Sequence, residues 1–183
     1  MNNNRSSAVD VAARWWSGLQ SYRADGTSNP VADRGALARL RRADLVEAME
    51  DPATFDLFRQ LGWRDPARLI DAALCAGVLA VVRQDVRSAH AARQLGVQSG
   101  GSDARPVLSA LRFRRLIAAE TPQDRLTALR RAVLLANATT NVRDVAAACL
   151  DWSDERRRRW AFEYYDAANA APTQPTVTEE TIQ

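Results

Sequence analysis

The sequence has no lysine, one histidine and two cysteines, so all 25 of its basic side chains are arginines. Because His90 is alone, the chain cannot form a site from two of its own histidines. Cys75 and Cys149 stand in separate apolar segments, which predicts buried thiols rather than a disulfide or a zinc site. No apolar run approaches the roughly 20 residues of a membrane span, and the first residues carry no apolar signal-peptide core. These absences predict a cytoplasmic protein with no membrane contact, metal or other cofactor.

The arginines are bunched rather than evenly spread. A guanidinium group is a planar fork of donors that matches phosphate oxygens, whereas a lysine ammonium is a mobile point charge. A GC-rich genome, which favours arginine and alanine codons, would explain the missing lysine but not the bunching. The bunches are Arg39, Arg41 and Arg42; Arg112, Arg114 and Arg115; Arg130 and Arg131; and residues 156–159.

Positive charge is concentrated in one part of the chain. Residues 105–160 hold 12 arginines and six acids, a net charge of +6. Residues 1–104 carry a net charge of +1, and residues 161–183 carry −4. The asymmetry predicts an acidic partner for the region 105–160.

The apolar periodicity predicts an all-α fold, a bundle of about eight helices with no strand of useful length. One helix is expected over residues 34–49, with Asp33 as its cap. The glycine-rich loop 96–105 separates two candidate lobes, residues 8–95 and 106–170. Residues 1–7 and the polar tail 171–183 are predicted to be disordered.

The residue types favour a binding protein over an enzyme. His90, beside three alanines, is expected on a helix surface, and acids such as Asp33 and Asp65 stand where they would cap helices. No glycine-rich phosphate loop is present. The aromatic residues Trp152 and Phe162 could stack on bases but are predicted to pack in the core.

The arginine clusters are the candidate binding residues. Arg34 and Arg41 share one face of a predicted helix, with Arg42 beside them, and Arg112 and Arg115 emerge together if Phe113 is buried. The alternative is a solvated face with intrahelical pairs such as Asp154–Arg158 or Glu155–Arg159. Four clusters within a basic chain favour a surface for a polyanion.

Several short segments, taken in their order along the chain, carry a resemblance to a known family. The chain resembles the small subunit of the type I-E CRISPR surveillance complex Cascade, known as CasB or Cse2, over about residues 9–167. The matching segments are 34–43 (RGALARLRRA), 51–55 (DPATF), 61–63 (LGW), 111–117 (LRFRRLI), 129–132 (LRRA), 150–152 (LDW) and 156–165 (RRRRWAFEYY).

The resemblance implies an all-helical, non-catalytic protein that acts inside a ribonucleoprotein in antiviral defence. Its implied partners are CRISPR RNA, target DNA as a single strand or R-loop, the backbone and large subunits of Cascade, and a second copy of itself. It implies sequence-independent contacts to nucleic-acid backbone that stabilise the R-loop. The residues it implies for those contacts are Arg34, Arg41, Arg42, Arg68, Arg112, Arg115, Arg130, Arg131, Arg156, Arg157 and Arg158.

Two other functions stay open at this point. A helical transcriptional regulator would insert a helix into the DNA major groove, and would need base-reading side chains such as Asn and Gln on that helix. A helical scaffold, with arginines that reflect only genomic bias, would bind no nucleic acid at low salt.

The binding hypothesis makes a quantitative prediction. If the protein neutralises roughly six phosphates of single-stranded DNA, the logarithm of its affinity should fall with the logarithm of salt concentration at a slope of about −4. A salt titration by fluorescence anisotropy measures this slope, and an affinity that does not change with salt would contradict a backbone-binding protein.

Overall fold

The computed structural model describes residues 2–21, 26–97 and 105–167, with side chains from residue 8 onward. The described chain is essentially all-α, which confirms the predicted fold class. It contains ten α-helices: α1 (Asn2–Leu19), α2 (Arg34–Arg42), α3 (Leu45–Glu50), α4 (Pro52–Gln60), α5 (Leu69–Leu79), α6 (Ala91–Leu95), α7 (Ala110–Ile117), α8 (Pro122–Leu135), α9 (Val142–Leu150) and α10 (Asp154–Asp166). A short 3-10 helix, Pro66–Arg68, precedes α5.

Polar side chains fix the starts of most helices. The side chains of Asp33, Thr121, Asn141 and Ser153 each accept a hydrogen bond from a backbone N–H of the helix that follows. These bonds satisfy donors that the first turn of a helix leaves unpaired. The caps predicted at these positions are therefore confirmed.

The segment predicted as one helix over 34–49 is two helices. Ala43 has an extended ψ of 138°, which ends α2. Asp44 then starts α3 with a capping box: the Asp44 side chain accepts from the Glu47 backbone N–H, and the Glu47 side chain accepts from the Asp44 backbone N–H. This local pairing offers the backbone a turn that competes with a continuous helix. The break explains part of the difference between about eight predicted helices and ten observed ones.

A short parallel pairing was not predicted. The strands β1 (Gln84–Asp85) and β2 (Thr139–Thr140) pair Gln84 with Thr139 and Asp85 with Thr140. Two residues are too few to show an alternating pattern in the sequence. The chain reaches β2 through Asn137 and Ala138, whose positive φ angles of 57° and 58° end α8 in a left-handed turn.

Helix α5 lies at the centre of the core. Every residue from 72 to 79 is buried, and α5 packs against α3, α4, α8 and α9. A helix that is apolar on all sides is expected where others surround it. Cys75 in α5 and Cys149 in α9 are both buried free thiols, as predicted.

One cluster of buried side chains in the described residues draws on both candidate lobes, from Ala12 in α1 to Tyr164 in α10. The division into lobes remains a prediction. Helix α1 begins at Asn2, within the segment 1–7 predicted to be disordered. Most of the predicted loop 96–105 and all of the tail 171–183 lie outside the described residues. Within the described residues, no helix is both long and apolar enough to cross a membrane.

Arg130 of α8 points into the protein and joins three helices. Its Nε donates to the carbonyl oxygen of Gly77 in α5 at 2.8 Å, and its terminal nitrogens donate to the carbonyl oxygens of Ala43 at 2.6 Å and Leu40 at 2.5 Å, at the end of α2. A Cβ atom at Gly77 would lie 2.8 Å from Nη2 of Arg130, so this close approach requires glycine. Burial lowers the pKa of Arg130, although a guanidinium stays charged at neutral pH.

This arrangement predicts that Arg130→Met destabilises the protein by about 3 kcal/mol, because three carbonyl oxygens lose a charged donor. Urea unfolding measures the loss. Arg131→Met is the matched control, since Arg131 is the exposed neighbour on the same helix, and its effect should stay within about 0.5 kcal/mol. Equal effects of the two substitutions would contradict the structural role of Arg130.

Candidate nucleic-acid interface

Helices α7 and α8 form an open groove of about 890 Å³ lined by three of the predicted binding residues. Arg112 and Arg115 come from α7, and Arg131 comes from α8. All three side chains are exposed. The structure therefore brings together arginines that lie up to 19 positions apart in the sequence.

The buried face of α7 decides which of its arginines turn outward. Phe113 and Leu116 are each 1% exposed, and the Phe113 ring stacks on Tyr164 of α10 with ring centroids 3.8 Å apart. With these two positions buried, Arg114 faces outward together with Arg112 and Arg115. Arg114 is a site residue that was not predicted from the sequence; the spacing of the apolar residues Phe113 and Leu116 was the signal that could have found it.

A second, shallower groove of about 410 Å³ lies between α7 and α10 and is lined by Arg114 and Arg157. The two grooves meet, because Ala118 and Glu120 line both. We call the combined surface the basic groove and define it by its arginines. These are Arg112, Arg114, Arg115, Arg131 and Arg157.

The basic groove also contains carboxylates. Glu120 and Asp124 lie on its walls, so the five arginines leave a net charge of +3. The Asp124 carboxylate accepts a hydrogen bond from the Thr121 hydroxyl at 2.7 Å. Outside the groove lining, Asp154 pairs with Arg157 at 2.6 Å but is itself 75% exposed, so water and salt screen this pair.

The aromatic residues of α10 divide between core and surface. Trp160 is buried as a core residue, and Trp152 is half-buried with its ring 5.5 Å from that of Trp160. Phe162, predicted to lie in the core, is 65% exposed because the turn of α10 carries it away from the α7 contact. Tyr165 is 56% exposed and lines the basic groove, where its ring is accessible for stacking.

The arginines of α2 lie apart from the basic groove. The Arg34 Nε donates to the Ser21 hydroxyl at 2.8 Å, and the Arg41 Nε donates to the Ala80 carbonyl oxygen at 2.7 Å. Partial burial, and then the charge of Arg83, lowers the pKa of Arg41. Arg42 lines a separate shallow groove that also contains Glu47, Glu50 and Asp51.

The remaining predicted residues have other surroundings. Arg68 and Arg156 line a third cavity, which shares no lining residue with the basic groove. Arg158 is exposed, and Arg130 turns inward to α2 and α5. In place of the expected Asp154–Arg158 pair, Asp154 pairs with Arg157.

His90 precedes the short helix α6 without capping it, because the Ala91 N–H donates to the Asp144 carboxylate, and its ring meets α10. Its ring nitrogens lie 3.7 Å from an Asp144 oxygen and 3.6 Å from a Glu163 oxygen, and its Nε2 is 3.0 Å from a terminal nitrogen of Arg159. Among the residues with described side chains, no group of three or more His, Cys, Asp or Glu could hold a metal ion.

The fold and sequence can be compared with those of known proteins. A comparison with curated protein sequences gives no match. Among solved structures, a chain from the crystal structure of E. coli Cascade bound to a PAM-containing dsDNA target shares 19% identity with this chain. The alignment covers 88% of this chain and 97% of the Cascade chain, with a TM-score of 0.60, which shows a common fold.

A family model supplies the stronger match. The model of the CRISPR-associated protein Cse2 matches residues 36–165, well over half of the chain and all of the basic groove. The family predicted from the ordered segments is thus confirmed, and the chain belongs to the CRISPR-associated protein Cse2 family.

Proposed function

We propose that this protein is the non-catalytic small subunit of a CRISPR RNA-guided surveillance complex of the Cascade type. In this proposal it holds nucleic-acid backbone along the basic groove without reading sequence. The observation that carries the proposal is the meeting of five arginines from α7, α8 and α10 in two adjoining grooves. A row of guanidinium groups on a rigid helical frame is suited to successive phosphates.

The chemistry of the groove supports backbone contact over base readout. Base readout in the DNA major groove pairs Arg with guanine and Asn or Gln with adenine, so a groove without Asn and Gln could read only guanine. The described lining of the basic groove contains no Asn or Gln; its polar residues are arginines, Glu120, Asp124, Thr121, Thr127 and Tyr165. Both hydroxyl and guanidinium groups donate readily to phosphate oxygens. This composition favours the clamp over a transcriptional regulator.

The physics of R-loops gives such a clamp a role. Exchange of a DNA duplex for a guide RNA–DNA duplex is nearly balanced in free energy, so backbone contacts can shift the balance. We propose that the groove supplies such contacts to the target assembly or to the displaced strand in antiviral defence. The family membership and the fold shared with a chain of a DNA-bound Cascade support this setting. The proposed partners are CRISPR RNA, target DNA, the other Cascade subunits and a second copy, in the cytoplasm.

The complex itself is tested by purification from the native host. A tagged chain should co-purify with a ribonucleoprotein that contains CRISPR RNA, detected by sequencing of the bound RNA. Recovery of the chain free of CRISPR RNA under gentle, low-salt conditions would contradict the proposal.

The groove is tested by a triple substitution, Arg112→Gln with Arg115→Gln and Arg131→Gln. Loss of three phosphate contacts should make the salt slope for single-stranded DNA shallower by about 2. The loss of affinity should be equal for unrelated sequences, because no base is read. Fluorescence anisotropy across salt concentrations measures both quantities.

The matched control removes three exposed arginines outside the groove: Arg59→Gln, Arg64→Gln and Arg83→Gln. It changes the net charge of the protein by the same amount. Equal effects of the two triple variants would show that overall charge, rather than the groove, binds the strand.

The carboxylate shared by the two grooves gives a prediction of opposite sign. Glu120→Gln removes a negative charge beside the proposed phosphate path and should strengthen binding of single-stranded DNA by about two- to fivefold at low salt. The control is Glu50→Gln, which removes an exposed acid on α3. Its change in the logarithm of the affinity should be less than half of the change caused by Glu120→Gln. Unchanged or weaker binding by Glu120→Gln would place the strand elsewhere.

A further inference from the structure

A cavity of about 830 Å³ lies beside a face of α8 different from the one that lines the basic groove. Its walls come from α1, the turn after α4, the start of α5, α8 and the junction of α9 with α10. It shares no lining residue with the basic groove. Its volume is in the range of small-molecule sites, which measure about 300–1,000 Å³.

Three arginines from separate elements converge on this cavity. Arg68 comes from the 3-10 turn before α5, Arg125 from α8 and Arg156 from α10. Two carboxylates, Asp71 and Asp151, also line it, so its described charges sum to +1. Arg68 and Arg156 were predicted as binding residues from the sequence, whereas Arg125 was not, because it stands outside every arginine cluster.

Arg68 is held in place by its neighbours. Its Nε donates to the Asp71 carboxylate at 2.8 Å, and its guanidinium carbon lies 3.9 Å from the centre of the Trp63 ring. Burial raises the pKa of Asp71 in spite of the nearby charges of Arg68 and Arg125.

Three other donors in the lining lack an acceptor. The Nε atoms of Arg125 and Arg156 and the indole Nε1 of Trp152 are cut off from solvent, and none has a hydrogen-bond partner in the described structure. A buried N–H without an acceptor costs free energy, which an incoming acceptor would recover. Two of the three belong to cations, so an anion with several oxygens satisfies them best.

We propose that this cavity is a binding site for a phosphate group, whose oxygens accept from Arg125, Arg156 and Trp152 once these side chains shift and expose their N–H groups to the cavity. The site is separate from the basic groove, since Arg125 and Arg131 leave α8 on different sides. Free phosphate compounds and the backbone of a bound strand present the same oxygens, so either could fill the site. Only the second source rests on the proposed function.

The test is calorimetric titration of the full chain with inorganic phosphate in a phosphate-free buffer. Arg125→Gln and Arg156→Gln should each weaken binding by about tenfold or more, because a charge-assisted hydrogen bond is lost. Arg83→Gln, at an exposed arginine that lines neither the cavity nor the basic groove, is the matched control and should bind phosphate within about twofold of the wild type. The two test variants lie on different helices, and melting curves without phosphate show which of them are folded.

A second arm identifies the source of the phosphate, with a single-stranded DNA oligonucleotide as the probe. If the strand fills the site, inorganic phosphate competes with the oligonucleotide, and Arg125→Gln weakens binding of the oligonucleotide as well as of phosphate. If free phosphate is the ligand, the affinity for the oligonucleotide is unchanged in Arg125→Gln. Either result supports the site. No phosphate binding by the wild type up to about 10 mM, or equal phosphate affinity in the wild type and both test variants, overturns it.

The two proposals fail independently. Loss of strand binding in the basic groove variants with phosphate binding intact supports both sites. If the basic groove variants bind DNA as the wild type does, the proposed function is overturned. The cavity proposal still stands in that case, provided that the wild type binds phosphate and the cavity variants do not.

Discussion

The guanidinium group of Arg130 connects the elements on which the proposed surfaces depend. It reaches from α8 to carbonyl oxygens at the end of α2 and in the middle of α5. Because these carbonyls belong to a packed core, the hydrogen bonds of Arg130 fix the rotation of α8 about its axis. That rotation decides the direction in which the other side chains of α8 point. Arg131 turns into the basic groove, and Arg125 turns into the cavity beside a different face of α8. Neighbouring arginines in one helix thus have different roles, one in stability and one at the surface.

Placement matters more than composition in this arginine-only chain. Several arginines serve the fold, such as Arg39, whose Nε pairs with the buried Asp51 at 2.8 Å. The basic groove differs because its arginines come from three helices and converge on a path whose carboxylates do not cancel their charge. A planar, permanently charged donor suits a phosphate chain, and three of these side chains stand on α7, which is anchored by the stack of Phe113 on Tyr164.

The features that were predictable from the sequence depend on local chemistry. Asp33 and Ser153 cap the helices that follow them, and the apolar run of α5 is buried on all sides, because caps and apolar periodicity act over a few residues. The family was recognisable from ordered segments. The role of Arg130 was not predictable, since its acceptors lie 53 to 90 positions away. The exposure of Phe162 and the convergence on Arg125 likewise depend on how helices pack, which no single segment records.

The central claim is that a nucleic-acid strand lies in the basic groove. Ala118 is exposed and lines both of its parts, so a photoreactive amino acid at this position would sit beside the strand. Irradiation with single-stranded DNA should give a cross-link at position 118 for any sequence, and little at the exposed Val31 and Val46, which lie outside the groove. Cross-links at positions 31 and 46 as strong as that at 118, or none at 118, would contradict the claim.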